Sequence, residues 1–543
     1  MASALTYGWN VVPDEEQPSK MVVLWAVNNN HTASGMRREA FEKALANGAK
    51  LIVVDPRKTD VASIADLWVK PRPNSDGALA MGVLKVIVED ELYDKEFVRD
   101  WCDGFEKLVE ELKTFTLQEV EKVTWVPEKA IREFAQMYAT TKPATIQWGN
   151  ALDTTFLAFP QGKAIAILRA ICGNLNIPGG EMFLTPAPYV RPGKFFLLSK
   201  MNRNPQIAIG KEFKLAVRSA FVPPHSLIHS VLTGEPYKIR AALFLLTNPV
   251  LSWADSAKTV EAFKNIDFLV GSEIFMTPST ALADIVLPAA WGMEREELGY
   301  WPGWYEEIRC YPKLVEPPGE AWPDTKWINE LAKKVGLGEH FWENDEEALN
   351  AFLQPSGLTY EDMKQKRSLR SKREYKRGNF KTPTGKVEIY SANAAEFGYS
   401  PMPYWRDVSN IPSVTEEYPL LMTNAKEDAY MLTGYKQVAG LRAMKPEPIV
   451  EMHPDTGKRL SLKEGTWVYI ETSKGRVRQR LAFDPDLDER IIIASFGWWF
   501  PEEKGMFGWD KSNINVLTDS EPPYDPGIGT SDLRGVPCRV YAE

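Results

Sequence analysis

The sequence predicts an α/β protein with two pseudo-symmetric parallel-sheet domains and a C-terminal β-barrel domain. Apolar runs with little polar alternation are interspersed with helical segments, which is typical of parallel strands buried on both faces. One ordered set of residues occurs twice along the chain. After Gly385 the predicted strands become short and are separated by turns. We place the domains at residues 1–185, 186–400 and 412–543.

The composition fits a large globular protein. At roughly 150 residues per unit, a chain of 543 residues predicts three or four structural units. Hydrophobic residues make up 44% and charged residues 25%, so a sizeable core is available. The formal net charge of −9 argues against a dedicated nucleic-acid-binding protein.

Neither an export signal nor a membrane span is predicted. No apolar run reaches the ~20 residues that cross a bilayer. The first residues, MASALTYGWNVVPDEEQ, contain no basic segment and no apolar signal core. We therefore expect a cytoplasmic protein, with a periplasmic location as the alternative if a twin-arginine signal lies upstream of Met1.

The first domain contains a βαβ unit with further helices and one more strand. The strands are predicted at 21–27, 51–55 and 144–149, and the helices at 34–47, 76–90 and 127–139. The second domain begins a similar series, with strands at 241–249 and 267–273 and a helix at 256–264 between them.

The two series share four positions in the same order. They are an amide after the first strand, an acid after the second, a Thr four residues later and an Asp seven residues after that. These residues are Asn28, Asp55, Thr59 and Asp66 in the first half, and Asn248, Glu273, Thr277 and Asp284 in the second. The matching spacing predicts an internal duplication.

A basic segment, Lys364–Arg377, has eight Lys or Arg residues in fourteen. It is either a surface for nucleic acid or a partner, or a solvated linker near residues 360–380. We favour the linker because the rest of the chain is acidic. The barrel strands that follow include PLLMTNA, PIVEMHP, RIIIASFG and the hairpin TWVYIETSKGRVRQRLAF.

The repeated residues predict two similar nucleotide sites. In open parallel sheets, ligands bind beyond the carboxyl ends of the strands. An acid there can accept hydrogen bonds from ribose hydroxyls or from the N–H groups of guanine, and the Thr can add a hydroxyl. The alternative, that each acid merely caps the following helix, remains open. Neither GxGxxG nor GxxxxGK[ST] follows these strands, which weakens a dehydrogenase or P-loop assignment.

Several longer motifs resemble the molybdopterin oxidoreductases of the dimethyl-sulfoxide-reductase superfamily. In chain order they are LIVVDPRKTDVASIADLWVKPRPNSDGALA, ELYDKEFV, ATIQWG, LTNP, SEIFMTPSTALADIVLPAA, FKTPTGKVEIYS, EPIVEMHPDTG, GWWFPE and SNINVLT. The resemblance implies molybdenum or tungsten held between two molybdopterin guanine dinucleotides, one on each α/β domain. It also implies that a double-psi-like barrel closes over both.

The resemblance also implies which residues hold the cofactor. The first dinucleotide would contact Ala26, Asn28, Asp55, Arg57, Thr59, Ser75 and Asp76, and a pterin would approach Trp148, Gly149 and Asn150. The second dinucleotide would contact Asn248, Pro249, Ser272, Glu273, Thr277, Arg295 and Asp324. The barrel would contribute Thr423, Asn424, Lys426 and Asn515. Ala26 stands where the family usually has Gly.

No metal ligand or catalytic residue is predicted within the chain. Its cysteines, Cys102, Cys172, Cys310 and Cys538, form no CxxC motif. The resemblance implies that the metal ligand lies upstream of Met1, and that a [4Fe-4S] cluster is present only if an upstream domain or a partner supplies it.

The implied function is two-electron oxo, hydride or sulfur-compound chemistry on a small molecule, with an iron–sulfur electron-transfer subunit as a possible partner. The family branches considered are formate dehydrogenase, thiosulfate or polysulfide reductase and acetylene hydratase. One alternative is an incomplete cofactor-binding subunit that needs a separate iron–sulfur chain. The other is a non-redox hydratase.

Overall fold

The computed structural model of the chain describes residues 1–31, 35–183, 204–299, 307–371, 374–378, 380–405 and 413–543. Within them lie two parallel-sheet units and a closed barrel, which confirms the predicted fold class.

The first unit is built on a four-stranded parallel sheet, ordered β4-β3-β2-β6. Alternate residues of its central strands enter two apolar cores, one on each face, as the lack of polar alternation predicts. The strands of this unit are β1 Val11–Pro13, β2 Met21–Trp25, β3 Lys50–Val54, β4 Leu67–Val69, β5 Cys102–Asp103, β6 Ala144–Trp148 and β7 Glu181–Phe183.

Helices cover both faces of this sheet. Helix α4 is largely buried, and it packs against α7, α8 and α9. The helices are α1 Ala2–Tyr7, α2 Gly35–Ala46, α3 Asp60–Ser63, α4 Asp76–Glu89, α5 Lys95–Trp101, α6 Phe105–Leu112, α7 Leu117–Thr124, α8 Glu128–Thr140 and α9 Ala158–Ile171.

The second unit has a three-stranded parallel sheet, ordered β10-β9-β8, and a small antiparallel sheet, ordered β11-β12-β13. Its strands are β8 Ala241–Leu245, β9 Phe268–Glu273, β10 Ile285–Pro288, β11 Glu297–Gly299, β12 Glu307–Tyr311 and β13 Ser368–Arg370. Its helices are α10 Lys214–Arg218, α11 Pro224–Thr233, α12 Pro249–Ser252, α13 Ser256–Lys264, α14 Asp324–Lys334, α15 Asp345–Leu353 and α16 Tyr360–Lys366.

The internal duplication is present in the strand register. Ile52 pairs with Leu67 in the first sheet, and Val270 pairs with Ile285 in the second, so the two pairs have the same separation along the chain. The repeated Asp accepts an equivalent backbone hydrogen bond in both halves. The Leu51 N–H donates to Asp66 Oδ2 at 2.7 Å, and the Leu269 N–H donates to Asp284 Oδ2 at 2.7 Å.

Two stretches differ from the sequence-based assignment. Residues 360–370 are not a plain linker, because α16 and β13 lie there and β13 pairs with β12. Residues 380–405 return to the first unit: β14 Val387–Glu388 pairs with β5, and Phe380, Ile389 and Trp405 enter the first core. Helix α17 Ala392–Glu396 belongs to this returning stretch.

The C-terminal domain is a closed six-stranded barrel, ordered β15-β19-β16-β18-β17-β20. Closure leaves no free edge strand within the barrel. Its strands are β15 Leu420–Ala425, β16 Ile449–Met452, β17 Trp467–Thr472, β18 Gly475–Phe483, β19 Ile491–Ser495 and β20 Val536–Ala542. Its helices are α18 Ala439–Met444, α19 Pro454–Arg459 and α20 Trp509–Ser512.

Candidate functional site

Two desolvated carboxylates lie at the carboxyl edge of the first sheet. Asp55 directly follows β3, and its Oδ1 accepts the Arg57 N–H at 2.9 Å. Burial raises the pKa of Asp55 to about 6. Asp76 begins α4 and accepts the Trp25 Nε1–H at 2.7 Å, and burial raises its pKa as well. Both carboxylates would be stabilised by a ligand that donates hydrogen bonds.

Arg534 adds a second cation to this region beside Arg57, and sequence reasoning missed it. Burial lowers its pKa to about 10, against the charges of Asp532, Asp76 and Asp55. Its Nε donates to Thr154 Oγ1 at 2.9 Å. Burial also raises the pKa of Asp532 to about 7. Arg534 precedes β20 and is 380 residues from Thr154, so no local pattern signals this contact.

The backbone after the first strand has the same unusual conformation in both halves. Ala26, after β2, has φ 53°, and Leu246, after β8, has φ 51°. This left-handed region favours glycine, the residue that the family resemblance implies for the position of Ala26. Gly149 follows β6 and donates its N–H to Trp25 O at 2.9 Å. A Cβ on Gly149 would lie 1.8 Å from Ala26 O, so only glycine fits.

A buried ion pair supports the end of β6. The Arg169 guanidinium lies 4.5 Å from the centre of the Trp148 ring, and its Nε is 3.0 Å from Glu181 Oε1. Asn150 is exposed and begins a short 3-10 turn, and its carbonyl accepts the Thr154 hydroxyl at 3.1 Å. The structure therefore brings Trp148 to the same edge as Asp55, with Asn150 just beyond it.

The remaining predicted residues of the first site make local contacts. Asn28 Nδ2 donates to Asp60 Oδ1 at 2.5 Å. Thr59 caps α3 by accepting the Ala62 N–H at 3.2 Å, and the Ser75 hydroxyl donates to Arg72 O at 2.7 Å. The N-cap of α3 is therefore Thr59 and not Asp55, to which the helix-cap alternative assigned that role.

The second site has an unpartnered buried donor. Asn248 is 6% exposed, and its Oδ1 accepts the Ser279 hydroxyl at 2.6 Å. Its Nδ2 is buried and has no hydrogen-bond partner within the part of the chain that the structure describes. A buried amide without an acceptor is costly, so this donor fits a ligand oxygen.

The acid of the second site resembles Asp55. Glu273 ends β9, and its Oε1 accepts the Ile274 N–H at 2.8 Å. Burial raises the pKa of Glu273, and the charge of Asp324 adds to the rise. The Ser272 hydroxyl donates to Asp324 Oδ1 at 2.5 Å. The structure thus brings Ser272, Glu273 and Asp324 together.

Three other predicted residues are held by protein groups. Thr277 Oγ1 accepts the Thr280 N–H at 3.2 Å, the same role as Thr59 in the first half. Arg295 pairs with Glu297, with Nη2 2.9 Å from Oε2. Pro249 begins α12, which the barrel holds in place because Asn515 Nδ2 donates to Leu251 O at 2.7 Å.

The barrel meets the first unit around a small cavity. Arg57 pairs there with Glu451 of β16, and Oε2 of Glu451 is buried with no partner among the described residues. Lys426 also lines the cavity, and burial lowers its pKa. Thr423 and Asn424 lie at the end of β15, where they pair with Ile493 and Ala494 of β19.

The polar groups of both sites fit a dinucleotide. Desolvated carboxylates suit the N–H donors of a guanine, the free Asn248 amide suits an oxygen, and Lys426 suits a phosphate. Two family models match the chain: "Molybdopterin oxidoreductase" over residues 10–334 and "Molydopterin dinucleotide binding domain" over residues 420–537.

This chain belongs to the molybdopterin oxidoreductase family. Among its relatives, acetylene hydratase of Syntrophotalea acetylenica is 33% identical over 91% of this chain and 73% of its own length. Formate dehydrogenase H of Escherichia coli (strain K12) is 27% identical, over 84% of this chain and 65% of its own length. The thiosulfate reductase subunit PhsA of Salmonella typhimurium is 26% identical, over 84% of this chain and 65% of its own length.

A solved structure gives the same answer. Acetylene hydratase from Pelobacter acetylenicus superimposes with a TM-score of 0.90 at 29% identity, over 100% of this chain and 80% of that one. The family implied by the sequence motifs is therefore confirmed, and a molybdopterin cofactor with it. Among the described residues, no helix is both long and apolar enough to cross a membrane. The contacts of individual residues with the cofactor stay predictions.

Proposed function

We propose that this chain is the cofactor-binding, catalytic part of an oxidoreductase that holds Mo or W between two molybdopterin guanine dinucleotides. The observation that carries the proposal is the pair of equivalent loops, each with a desolvated acid after the second strand: Asp55 and Glu273. When bound, the cofactor supplies two-electron chemistry at its metal.

The residues of this chain would bind and orient the cofactor. Asp55 and Glu273 would each accept the N–H donors of one guanine. Arg534 and Lys426 would offset phosphate charge, because both are desolvated cations. Gly149, which lacks a Cβ, lets the β6 end close against the Ala26 carbonyl.

The binding test counts nucleotides per chain. The full chain is produced anaerobically in a host that makes the dinucleotide cofactor, and GMP released by acid hydrolysis is measured with Mo and W content. We expect about two GMP per wild-type chain and about one in each of Asp55→Ala and Glu273→Ala, because each removes one guanine acceptor. Asp267→Ala is the matched control, since Asp267 is an acid that pairs with Lys238 and Arg240 at the surface.

Unchanged GMP in both variants would contradict the two-site assignment. The metal, measured in the same samples, distinguishes Mo from W.

The specific reaction needs separate assays. The loaded chain is tested for dye-linked formate oxidation, thiosulfate reduction and acetylene hydration. Hydration without electron transfer is the second candidate, favoured by the 33% identity to acetylene hydratase against 27% and 26% for the redox relatives. Bound cofactor without any of these activities would favour the third candidate, a subunit that needs a separate iron–sulfur chain.

A further inference from the structure

The two halves hold the loop after their first strand in different ways. In the second half, Pro249 begins helix α12 directly after Asn248, and the Ser279 hydroxyl donates to Asn248 Oδ1 at 2.6 Å. In the first half, the residues after Asn28 form a turn instead of a helix. Residues 28–31, the first-strand loop, therefore depend on side-chain contacts to fix their shape.

The Asp60 carboxylate contacts three of the four residues of the first-strand loop. Asp60 begins α3, and its Oδ1 accepts a hydrogen bond from Asn28 Nδ2 at 2.5 Å, while its Oδ2 accepts one from Asn30 Nδ2 at 2.5 Å. Asn28 Oδ1 in turn accepts the Asn30 backbone N–H at 3.1 Å, so both ends of the Asn28 amide are held. Asp60 thereby joins the loop after β2 to the start of α3.

The first-strand loop also contacts β6 and the barrel domain. Asn29 is 1% exposed, and its Nδ2 donates to Gln147 Oε1 of β6 at 2.8 Å. His31 lies between two carboxylates, with Nε2 3.4 Å from Asp60 Oδ2 and Nδ1 3.4 Å from Asp428 Oδ1 of the barrel domain. The loop thus lies where β6, α3 and the barrel domain come together.

The hydrogen bonds to Asp60 favour its ionised form. Burial opposes ionisation, but the Asn30 and Asn28 amides donate to the carboxylate and hold its pKa below the ordinary value. An ionised carboxylate only accepts hydrogen bonds, so it suits two amide donors. Hydrogen bonds to a charged acceptor are also stronger than those between neutral groups, which favours Asp60 as the residue that fixes the loop.

Asp60 has no counterpart in the duplication. It lies five residues after Asp55, whereas the residue five positions after Glu273 is Pro278, which has no side-chain acceptor. The position is therefore not part of the repeated pattern that predicted the two sites, and sequence reasoning did not select it.

We propose that Asp60 is a positioning residue for the first dinucleotide site, because its carboxylate gives the first-strand loop its binding shape before the cofactor arrives. The inference rests on the proposed function, since it concerns the same site. Binding groups that are already ordered raise affinity, because less conformational freedom is lost on binding. Both oxygens of Asp60 accept hydrogen bonds from the loop, so we assign Asp60 no contact with the cofactor.

The first measurement uses the full chain without cofactor, produced in a host that cannot make molybdopterin. Hydrogen–deuterium exchange follows the backbone amides of Asn30 and His31, which donate to Asn28 Oδ1 at 3.1 Å and to Asn28 O at 3.2 Å. In Asp60→Asn, an N–H donor replaces one of the two acceptor oxygens. We therefore expect these amides to exchange about tenfold faster in Asp60→Asn than in wild type.

The second measurement uses the loaded chain and requires no activity. The GMP that stays with the chain during anaerobic dialysis gives the rate of cofactor loss, and we expect Asp60→Asn to lose GMP about tenfold faster than wild type. Asn30→Ala removes a partner of Asp60 from the other side of the contact. It should shift both measurements in the same direction by a smaller factor, and it decides the test if Asp60→Asn does not fold.

Two controls separate loop positioning from a loss of helix charge. Asp510→Asn removes an exposed acid from the first turn of α20, which has four residues, as α3 does, and it should change neither measurement by more than about twofold. The double variant Asn30→Asp with Asp60→Asn reverses the donor and the acceptor of one contact. It should recover most of the wild-type behaviour in both measurements, whereas a loss of charge from α3 would not be restored.

Four results would overturn the proposal. They are unchanged exchange of the loop amides in Asp60→Asn, faster exchange with an unchanged rate of GMP loss, equal effects of Asp60→Asn and Asp510→Asn, and a double variant that recovers neither measurement. Absence of GMP from the loaded wild-type chain would instead refute the proposed function. The exchange measurement on the cofactor-free chain would then still decide whether Asp60 fixes the loop.

Discussion

Replacing Asp55 by Asn should stabilise the cofactor-free chain while weakening cofactor binding. The pKa of Asp55 is about 6 in the folded chain, against an ordinary value of 3.8. At 1.36 kcal/mol per pKa unit, the ionised carboxylate lowers the free energy of unfolding by up to ~3 kcal/mol at pH 7. Asp55 is partly exposed to solvent, and Arg57 and Arg534 screen part of its charge. We therefore discount the full value and expect Asp55→Asn to raise the free energy of unfolding by about 1–3 kcal/mol.

The direction of the pH dependence follows from proton binding. Between pH 3.8 and about 6 the folded chain holds more protons at Asp55 than the unfolded chain, so this group makes stability fall as pH rises through that window. The gain from Asp55→Asn should therefore be near zero below pH 4 and reach its full value above pH 6. Asn keeps the acceptor for the Arg57 N–H.

Urea unfolding of the cofactor-free chain at pH 4.5 and 7.5 measures this difference. Asp55→Ala is the matched variant, because it loses the charge and the Arg57 hydrogen bond together and should gain about 1 kcal/mol less than Asn. Equal effects of Asp55→Asn at the two pH values, or destabilisation at pH 7.5, would refute the reasoning. In the loaded chain the same variant should retain less GMP.

Four further substitutions test the loops and their support. Ala26→Gly and Leu246→Gly should each raise the free energy of unfolding by up to about 1 kcal/mol in urea, because glycine relieves a positive φ; a loss of stability would contradict the shared conformation. Gly149→Ala should lower the free energy of unfolding by at least about 2 kcal/mol, since the new Cβ would overlap the Ala26 carbonyl. An unchanged melting temperature would refute this expectation. Arg169→Met should lower the free energy of unfolding by about 3–5 kcal/mol, because it leaves the Glu181 carboxylate buried without its cation. A decrease below about 1 kcal/mol would contradict this expectation and show that the site relaxes.

The sequence predicted the parts of the site that local patterns encode. The helix at 256–264 and the strands ending at Val54 and Glu273 follow from apolar periodicity and turn residues, which act over a few neighbours. The equal spacing of Asp55 to Thr59 and of Glu273 to Thr277 predicted a duplication that the strand register then showed.

The same patterns did not predict what each side chain contacts. A Thr after a strand suits a ligand hydroxyl contact and a helix cap equally well, and only the geometry showed Thr59 and Thr277 capping turns. Arg534 and the returning stretch 380–405 were missed because their contacts depend on how distant units pack. A short sequence motif does not indicate such packing.

The first site is complete only when the barrel domain is in place. Asp55 and Asp76 come from the first sheet unit, whereas Arg534 and Asp532 precede the last barrel strand. Without the C-terminal stretch, the two sheet carboxylates would keep Arg57 but lose the Arg534 guanidinium, and a phosphate-bearing ligand would meet net negative charge. Docking of the barrel supplies that cation and removes water at the same time, which strengthens each remaining polar contact. A variant that loosens the barrel should therefore release the first dinucleotide even when every residue of the sheet unit is intact.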